Sequence, residues 1–359
     1  MKIKVIHLVS SMQLGGVEKG INLSIEALNK DFDYSVATLS NHNTFFDKNL
    51  RHNFLFAKNK YVLFSIIPTL LKIKQQQPSI VVVSLWKSYI IGVLLKIFRF
   101  PNLKIIAFIH NENYFHWLDK CFTNLILKKT DAIAYDSAST MNAFKHLVKE
   151  EKKQFVIPYI FNQINDSFNS SLEQKIPIRF LYAGRIHKSK NIENIILFFS
   201  EFKKIEPNFV FDIYGSGSLQ YIETLNEYIR QLGLQQHINF KGIFNSTETS
   251  KVYSNYHFYI QFSKLEGMAM SIVDAMIHGI IPIATPVGEI KNYITHLQNG
   301  ILIEHNLNDE NYKVLAQTIM DLYNNFQEFS RLKNNASNYF SNQKNYIQSF
   351  KEMIDTLNR

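Results

Sequence analysis

The chain has 359 residues, 46% of them hydrophobic and 19% charged, too long for one ordinary core and too apolar for a disordered chain, so two packed domains are expected. Its formal charge of +9 is unevenly placed: residues 1–170 hold 21 Lys and Arg against 12 Asp and Glu, and the rest hold 18 against 18. That asymmetry points to an anionic partner of the first half alone, a membrane surface or a polyanion, while the lone Cys121 excludes an internal disulfide and suits a reducing compartment.

The first apolar run, at 5–9, contains His7 and leads into Leu14-Gly15-Gly16-Val17-Glu18-Lys19 rather than a small-x-small cleavage site. It reads as a buried strand, not a signal peptide. No run of about 18 apolar residues follows, so a membrane-spanning helix is not expected. Short β-branched runs then alternate with amphipathic stretches, the pattern of a parallel sheet covered by helices. In the first half, strands are expected at 4–9, 34–39, 80–83, 105–109, 132–135 and 154–157, with helices at 16–29, 60–75, 88–98, 117–128 and 137–148. Gln75-Gln76-Gln77 before Pro78 reads as a helix end.

The segment 162–178, rich in Asn, Ser, Gln and Asp, reads as a linker. Beyond it the alternation restarts, with strands at 179–183, 210–214, 238–241, 258–261, 281–285 and 301–303 and helices at 192–205, 219–232, 247–254, 271–278 and 311–322. The expected fold class is α/β: two Rossmann-like, doubly wound domains facing a central cleft, with ligands at the strand C-termini. The boundaries are 1–165, 166–340, and a terminal helix at 341–359 packing back on the first domain.

Two segments carry chemistry. Gly184-Arg185-Ile186-His187-Lys188-Ser189-Lys190-Asn191 follows a strand and opens a helix, offering a planar guanidinium, an ammonium and backbone N–H groups to a diphosphate. Read alone, it is equally a solvated loop with scattered cations. In 263–276, Glu266 stands where a strand gives way to a loop and Asp274 lies eight residues on, in the following helix. A rise of about 1.5 Å per helical residue separates the two carboxylates by roughly 12 Å, a span that suits one acid on a sugar ring and one on a ribose. The plainer reading is an acid near a helix start and an unrelated Asp on its solvent face.

Taken together, Glu266-Gly267 through Asp274-Ala275-Met276, then His278-Gly279-Ile280-Ile281-Pro282 and Pro286-Val287-Gly288, resemble the signature of family 4 of the retaining GT-B glycosyltransferases. Gly184-Arg185 with Lys190 is similar to that family's phosphate-binding pair, Leu14-Gly15-Gly16 to its first glycine loop, and Ile109-His110-Asn111 to its N-domain histidine. The resemblance runs through nearly the whole chain and is strongest over 180–305.

The resemblance implies an acceptor-binding first domain and a donor-binding second one. Arg185 and Lys190 would hold the donor diphosphate. Glu266 would align the sugar, with the N–H groups of Gly267, Met268 and Ala269 fixing sugar and phosphate. Asp274 would hold the ribose. Gly15 and Gly16 would let backbone close on the phosphates, and His110 would face the sugar and acceptor. It further implies a nucleotide-sugar co-substrate, UDP-linked, no metal and no other cofactor, retention of configuration, and a saccharide or lipid-linked saccharide acceptor in bacterial surface-polysaccharide or glycolipid assembly. The location would be cytoplasmic, peripheral at the inner membrane face, with the cations and aromatics of 58–74 and 90–104 on an anionic bilayer.

Two residues depart from the pattern. Asp274 replaces the usual Glu and is one methylene shorter, and Glu289 stands where a second glycine follows Gly288. Three other classes share parts of this pattern. A sugar-nucleotide epimerase shares the architecture. A nucleic-acid-binding protein would explain the basic half but lacks a recognisable motif, so nucleic acid is not an expected partner. A dinucleotide oxidoreductase lacks Gly-x-Gly-x-x-Gly after the first strand. No His-x-x-x-His or Cys/His spacing marks a metal site.

Overall fold

A computed structural model describes residues 2–13, 15–98, 100–161, 177–244, 248–304 and 308–358. Most of the expected linker (162–176), together with Leu14 and Thr247, lies outside the described residues. The chain divides into two compact units, Met1–Phe161 with Lys344–Arg359, and Asn162–Gln343.

The first unit runs β1 (Lys4–Val9), α1 (Gly16–Asn29), β2 (Asp33–Thr38), β3 (Phe54–Leu55), α2 (Val62–Gln76), β4 (Ile80–Ser84), α3 (Trp86–Ile97), β5 (Lys104–Ile109), α4 (Trp117–Lys129), β6 (Ala132–Tyr135), α5 (Ala138–Phe144) and β7 (Lys153–Val156). Its strands form a parallel sheet in the order β3-β2-β1-β4-β5-β6-β7. The central β4, Ile-Val-Val-Val-Ser, is buried along its whole length. A sheet covered on both faces demands such continuous apolar strands, which is why they stand out in the sequence. Helix α2 stops with Gln77 in the left-handed region (φ 46°), one residue before Pro78, as the clash ahead of proline requires. Helix α5 is shorter than its expected span and tightens into a 3-10 turn at Lys145–Leu147.

The second unit runs β8 (Ile178–Ala183), α6 (Ile192–Ile205), β9 (Phe209–Tyr214), α7 (Leu219–Gln231), β10 (Ile238–Gly242), α8 (Thr249–Tyr253), β11 (Phe258–Gln261), α9 (Met270–Ile277), β12 (Ile281–Ala284), α10 (Ile290–Tyr293), β13 (Ile301–Leu302), α11 (Asp309–Asn324) and α12 (Phe326–Tyr339). The last helix, α13 (Tyr346–Asn358), belongs to the first unit. There the Tyr346 N–H donates to Ile160 O at 2.9 Å and the Phe350 ring meets Tyr34 edge-on at 5.9 Å.

The second sheet is also parallel, in the order β10-β9-β8-β11-β12-β13. Its core is strongly aromatic: Phe199 stacks on Phe211 at 4.7 Å and on Phe209 at 5.0 Å. Helix α6 supplies Ile192, Ile195, Ile196, Phe198, Phe199 and Phe202, all buried, along one stripe of 3.6-residue period. At about 1.5–3 kcal/mol for each large side chain removed from water, that stripe pins the helix, and with it the turn that precedes it.

Both units are doubly wound, as expected. In each, the chain winds outward from a central strand, β1 or β8, and then returns to its other side with β4 or β11. The pairs β1/β4 and β8/β11 are therefore the points where winding reverses, and loops at their C-terminal ends diverge and leave room for a ligand.

Candidate functional site

The turn after β8 and the loop after β11 emerge side by side at the second unit's reversal point, and they carry most of the candidate residues. The turn is tightly determined. Tyr182 donates its hydroxyl to Arg185 O at 2.8 Å, Gly184 N–H donates to Tyr214 O at 2.9 Å, and Ile186 N–H to Ser216 O at 2.8 Å. Lys190 closes a 3-10 turn, Lys188–Lys190, and Asn191 adopts φ 57° before α6 begins. The expected helix start thus lies two residues beyond Lys190. The Arg185 side chain is exposed and makes no hydrogen bond or ion pair among the described residues.

The two loops are joined. Lys264 N–H donates to Ser189 O at 2.9 Å, and the Lys190 ammonium forms an ion pair with Glu266 Oε1. Side-chain exposures of 16% and 9% make this pair largely buried, so each partner depends on the other for its neutralisation. Glu266 Oε1 also accepts from Gln261 Nε2 at 2.7 Å, and Gln261 Oε1 accepts from Ser271 Oγ at 3.1 Å. The Tyr259 hydroxyl stands 2.8 Å from Gln261 Oε1 and 3.0 Å from Ala183 O. Gln261 is therefore a clamp that orients the carboxylate from behind. Its signal in the sequence is a polar residue ending an otherwise apolar, buried strand, which lies outside the motif.

Between the acids the backbone is not one helix. Ala269 is in the left-handed region (φ 51°) and α9 starts only at Met270. The 12 Å axial spacing expected for Glu266 and Asp274 therefore does not apply, because four of the eight intervening steps are loop. Both carboxylates nevertheless act on Tyr259, whose hydroxyl pKa is raised first by burial and further by the charges of Glu266 and Asp274. Asp274 is buried on α9, not on a solvent face, and its carbonyl accepts from His278 Nδ1 at 2.7 Å. Gly267, Met268 and Ala269 form the loop between them. Gly288 packs against that loop so closely that a Cβ there would stand 2.3 Å from Glu266 O. Glu289, the departure from the glycine pattern, donates its N–H to Gly267 O at 3.1 Å and caps α10.

The remaining candidates belong to the first unit. Gly15 is the extended N-cap of α1 and Gly16 its first residue. The Glu18 carboxylate folds back over Gly15, 2.3 Å from where a Cβ would be. His110 follows β5 directly and is 6% exposed. Its Nε2 stands 3.0 Å from Ser84 Oγ, and its Nδ1 is buried with no hydrogen-bond partner among the described residues. Burial, and secondarily the neighbouring His7, hold its pKa well below the ordinary imidazole value, so the ring is neutral at physiological pH.

Among the described residues, no helix is long and apolar enough to cross a membrane. A family model, glycosyl transferases group 1, matches residues 163–339, nearly all of the second unit. Across 223 residues the chain is 29% identical to the UDP-N-acetylglucosamine–peptide N-acetylglucosaminyltransferase GtfA subunit of Streptococcus pneumoniae, covering 59% of this chain and 42% of that protein. The chain therefore spans less than half the length of that relative. Among solved structures, HepE of Anabaena in complex with UDP-glucose superposes with a TM-score of 0.83 at 16% identity, covering 99% of both chains. Sucrose-phosphate synthase from Thermosynechococcus elongatus superposes with a TM-score of 0.80 at 15% identity, covering 99% of this chain and 98% of that one. These likenesses establish the fold as two Rossmann-like α/β domains of the GT-B type.

Proposed function

We propose that the chain, whose residues 163–339 match the glycosyl transferases group 1 model, transfers a sugar from a UDP-linked donor to a saccharide or lipid-linked saccharide, with retention at the anomeric carbon and without a bound metal. The observation that carries this reading is the largely buried Lys190–Glu266 pair at the β8/β11 reversal point, beside the exposed Arg185, whose side chain has no ion-pair partner among the described residues. The names of its relatives support the donor class: one is a UDP-N-acetylglucosamine-dependent transferase and another was solved with UDP-glucose. A poly(ribitol-phosphate) α-N-acetylglucosaminyltransferase of Staphylococcus aureus, 24% identical over 207 residues, supports a polyhydroxylated acceptor.

In the proposed reaction the bond from the anomeric carbon to the phosphate oxygen breaks, and its electron pair departs with the diphosphate. The acceptor oxygen bonds to the same face of that carbon, and its proton passes to the leaving phosphate oxygen. Negative charge grows on the diphosphate as the sugar takes on oxocarbenium character. Arg185 and Lys190 interact more strongly with that growing charge than with the ground state, which lowers the barrier. A donor offers Lys190 a phosphate in exchange for Glu266, and offers Glu266 sugar hydroxyls in exchange for Lys190. Gln261 holds the carboxylate in place through that exchange. Asp274 takes the ribose, Gly15 and Gly16 give backbone to the phosphates, and His110 meets the reacting sugars.

Incubation of a UDP-sugar with and without a saccharide acceptor tests this directly. A glycoside of the donor's anomeric configuration should form only with acceptor, and Glu266→Gln should keep UDP binding while losing turnover by about 10²-fold. An altered free sugar from donor alone would mark an epimerase, and unchanged turnover in Glu266→Gln would remove that residue from the mechanism.

Helix α2 supports a membrane-bound acceptor at the inner face of a cytoplasmic membrane. Leu63, Phe64, Ile67 and Leu71 are 62–75% exposed along one side of it. Cations gather alongside, and Lys72 has its pKa lowered by burial and by the charges of Lys58 and Arg51. An anionic bilayer satisfies both features, with about 1 kcal/mol for each Lys near the surface. Vesicles containing anionic lipid should sediment the protein and neutral vesicles should not, and Phe64→Glu with Ile67→Glu should abolish sedimentation. Equal binding to both vesicle types would contradict the docking surface.

A further inference from the structure

Strands β8 and β11 part before they end. Among the described residues their backbone pairing stops where Tyr259 lies beside Leu181, while β8 runs on against β9 to Ala183 and β11 runs on against β12 to Gln261. No ladder therefore joins the ends of these two strands at the reversal point, where loops diverge to admit a ligand. Two tyrosine side chains brace that gap, one from each face of the sheet. Tyr182 shares a buried core with Phe180, Phe258 and Ile260. Tyr259 is one step out of phase with Phe258 and Ile260 and projects from the opposite face, its ring 6.3 Å from that of Tyr253 on α8. Both side chains are fully buried.

Their hydroxyls hold the same short turn. Tyr182 donates to Arg185 O at 2.8 Å, and the Tyr259 hydroxyl stands 3.0 Å from Ala183 O. Glycine between these two carbonyls leaves room for the first bond, because a Cβ on Gly184 would crowd the Tyr182 hydroxyl oxygen at 3.0 Å. The two hydroxyls differ in what else they reach. Tyr182 is tied to the turn that carries Arg185. Tyr259 stands 2.8 Å from Gln261 Oε1 as well, and so spans from that turn to the amide that orients Glu266. Ser271 Oγ donates to the same Gln261 Oε1 at 3.1 Å, so the amide stays held while the Tyr259 proton serves Ala183 O. Burial above all raises both phenols above the ordinary tyrosine pKa, so each keeps its proton as a donor near neutral pH.

We infer that Tyr182 and Tyr259 are positioning residues with separate duties: Tyr182 fixes the Arg185 turn for the donor's diphosphate, and Tyr259 fixes the spacing from that turn to the Gln261–Glu266 clamp, and so the sugar relative to the diphosphate. Both act through the groups they hold. A guanidinium on a displaced turn binds phosphate less well in the ground state. A displaced carboxylate matters chiefly when the reacting carbon takes on charge and must meet it at the right place. The inference rests on the proposed sugar-transfer reading. It adds a division of donor binding and bond breaking between two buried hydroxyls on opposite faces of one sheet.

UDP, which carries the diphosphate and no sugar, separates the two duties. The full-length wild type, Tyr182→Phe and Tyr259→Phe are compared by titration calorimetry with UDP. They are compared again by UDP release from saturating UDP-glucose or UDP-N-acetylglucosamine, to water where no acceptor is added. Tyr182→Phe should weaken UDP by about tenfold, the value of one hydrogen bond. Tyr259→Phe should leave UDP affinity within roughly threefold and lower the release rate by about tenfold. Gln261→Leu should match that rate, and the Tyr259→Phe/Gln261→Leu double variant should be slower than either single by less than about threefold, because both changes reach the reaction through one carboxylate. Thermal unfolding is read alongside. A lowered Tm with wild-type UDP affinity and wild-type rate in both tyrosine variants would make them structural only and overturns the inference. Equal weakening of UDP in the two overturns the division of duties, and rate losses that multiply in the double variant overturn the shared route. Absence of UDP heat from the wild type would instead remove the sugar-transfer reading, and this inference with it.

Discussion

Lys190→Met should destabilise the protein and nearly abolish transfer, and the two effects should separate when Glu266 is changed as well. Removing one partner from a buried ion pair strands the other's charge, at a cost of several kcal/mol. Because Lys190 retains 16% exposure and Glu266 9%, a value of about 2–3 kcal/mol is expected, or roughly 5–10 °C in Tm for a unit of this size. Turnover should fall by about 10²–10³-fold, the usual result of deleting one group aimed at transition-state charge. In Lys190→Met/Glu266→Gln no charge is stranded and Gln261 still has a partner, so Tm should recover while turnover does not. A double variant that regained both would reduce the pair to a structural salt bridge. Thermal unfolding and initial rates on the three proteins decide the matter.

Gly215→Ala should be the most damaging single-methyl addition at the site's base. Gly215 has φ +148°, a region open essentially to glycine alone, and a Cβ there would stand 1.8 Å from Gly184 O. The clash is with backbone, which cannot swing aside, so the ends of β8 and β9 must part. Gly184 N–H would lose Tyr214 O and Gly215 N–H would lose Gly242 O, bonds now 2.9 and 2.7 Å long. Strain and lost bonds together suggest about 4 kcal/mol, with the Arg185 turn displaced and donor affinity lowered by at least about tenfold. Gly242→Ala is the control: its φ is +73° and nothing lies within 4 Å of its Cβ, so only the left-handed penalty of about 1–2 kcal/mol applies. Urea midpoints that agree for the two variants would contradict this reading.

The doubly wound architecture was legible because its strands are buried on both faces and therefore appear as short β-branched runs such as Ile80–Ser84. Elements without that signature were missed. Strand β3 has only two residues, Phe54 and Leu55, and α12 shows the core only Phe329, Leu332 and Ala336 in an otherwise polar stretch. At the site, the residue types of Arg185, Lys190, Glu266 and Asp274 could be read from motifs. The pairing of Lys190 with Glu266 could not, because 76 residues separate them and only adjacency of β8 and β11 brings them together. The helical spacing assumed between the two acids failed for a local reason, the left-handed Ala269 that delays α9. His7 illustrates the limit best. In the sequence it interrupts an apolar run, and only strand register reveals that it faces Tyr34 and Ser84 in the core. Gln261 lies outside the motif, and only the turn of the chain after β11 brings its amide onto the Glu266 carboxylate five residues on.

The loops after β8 and β11 are expected to bind the diphosphate of a nucleotide sugar. Titration calorimetry of the full chain with UDP- and GDP-linked sugars tests it most directly, compared between the wild type and Arg185→Ala, an exposed position whose truncation should spare the fold. Binding of at least one UDP-sugar to the wild type is predicted, weakened by roughly 10–100-fold in the variant, as loss of charged hydrogen bonds to phosphate implies. No heat from any nucleotide sugar, or the same affinity in both proteins, would contradict it.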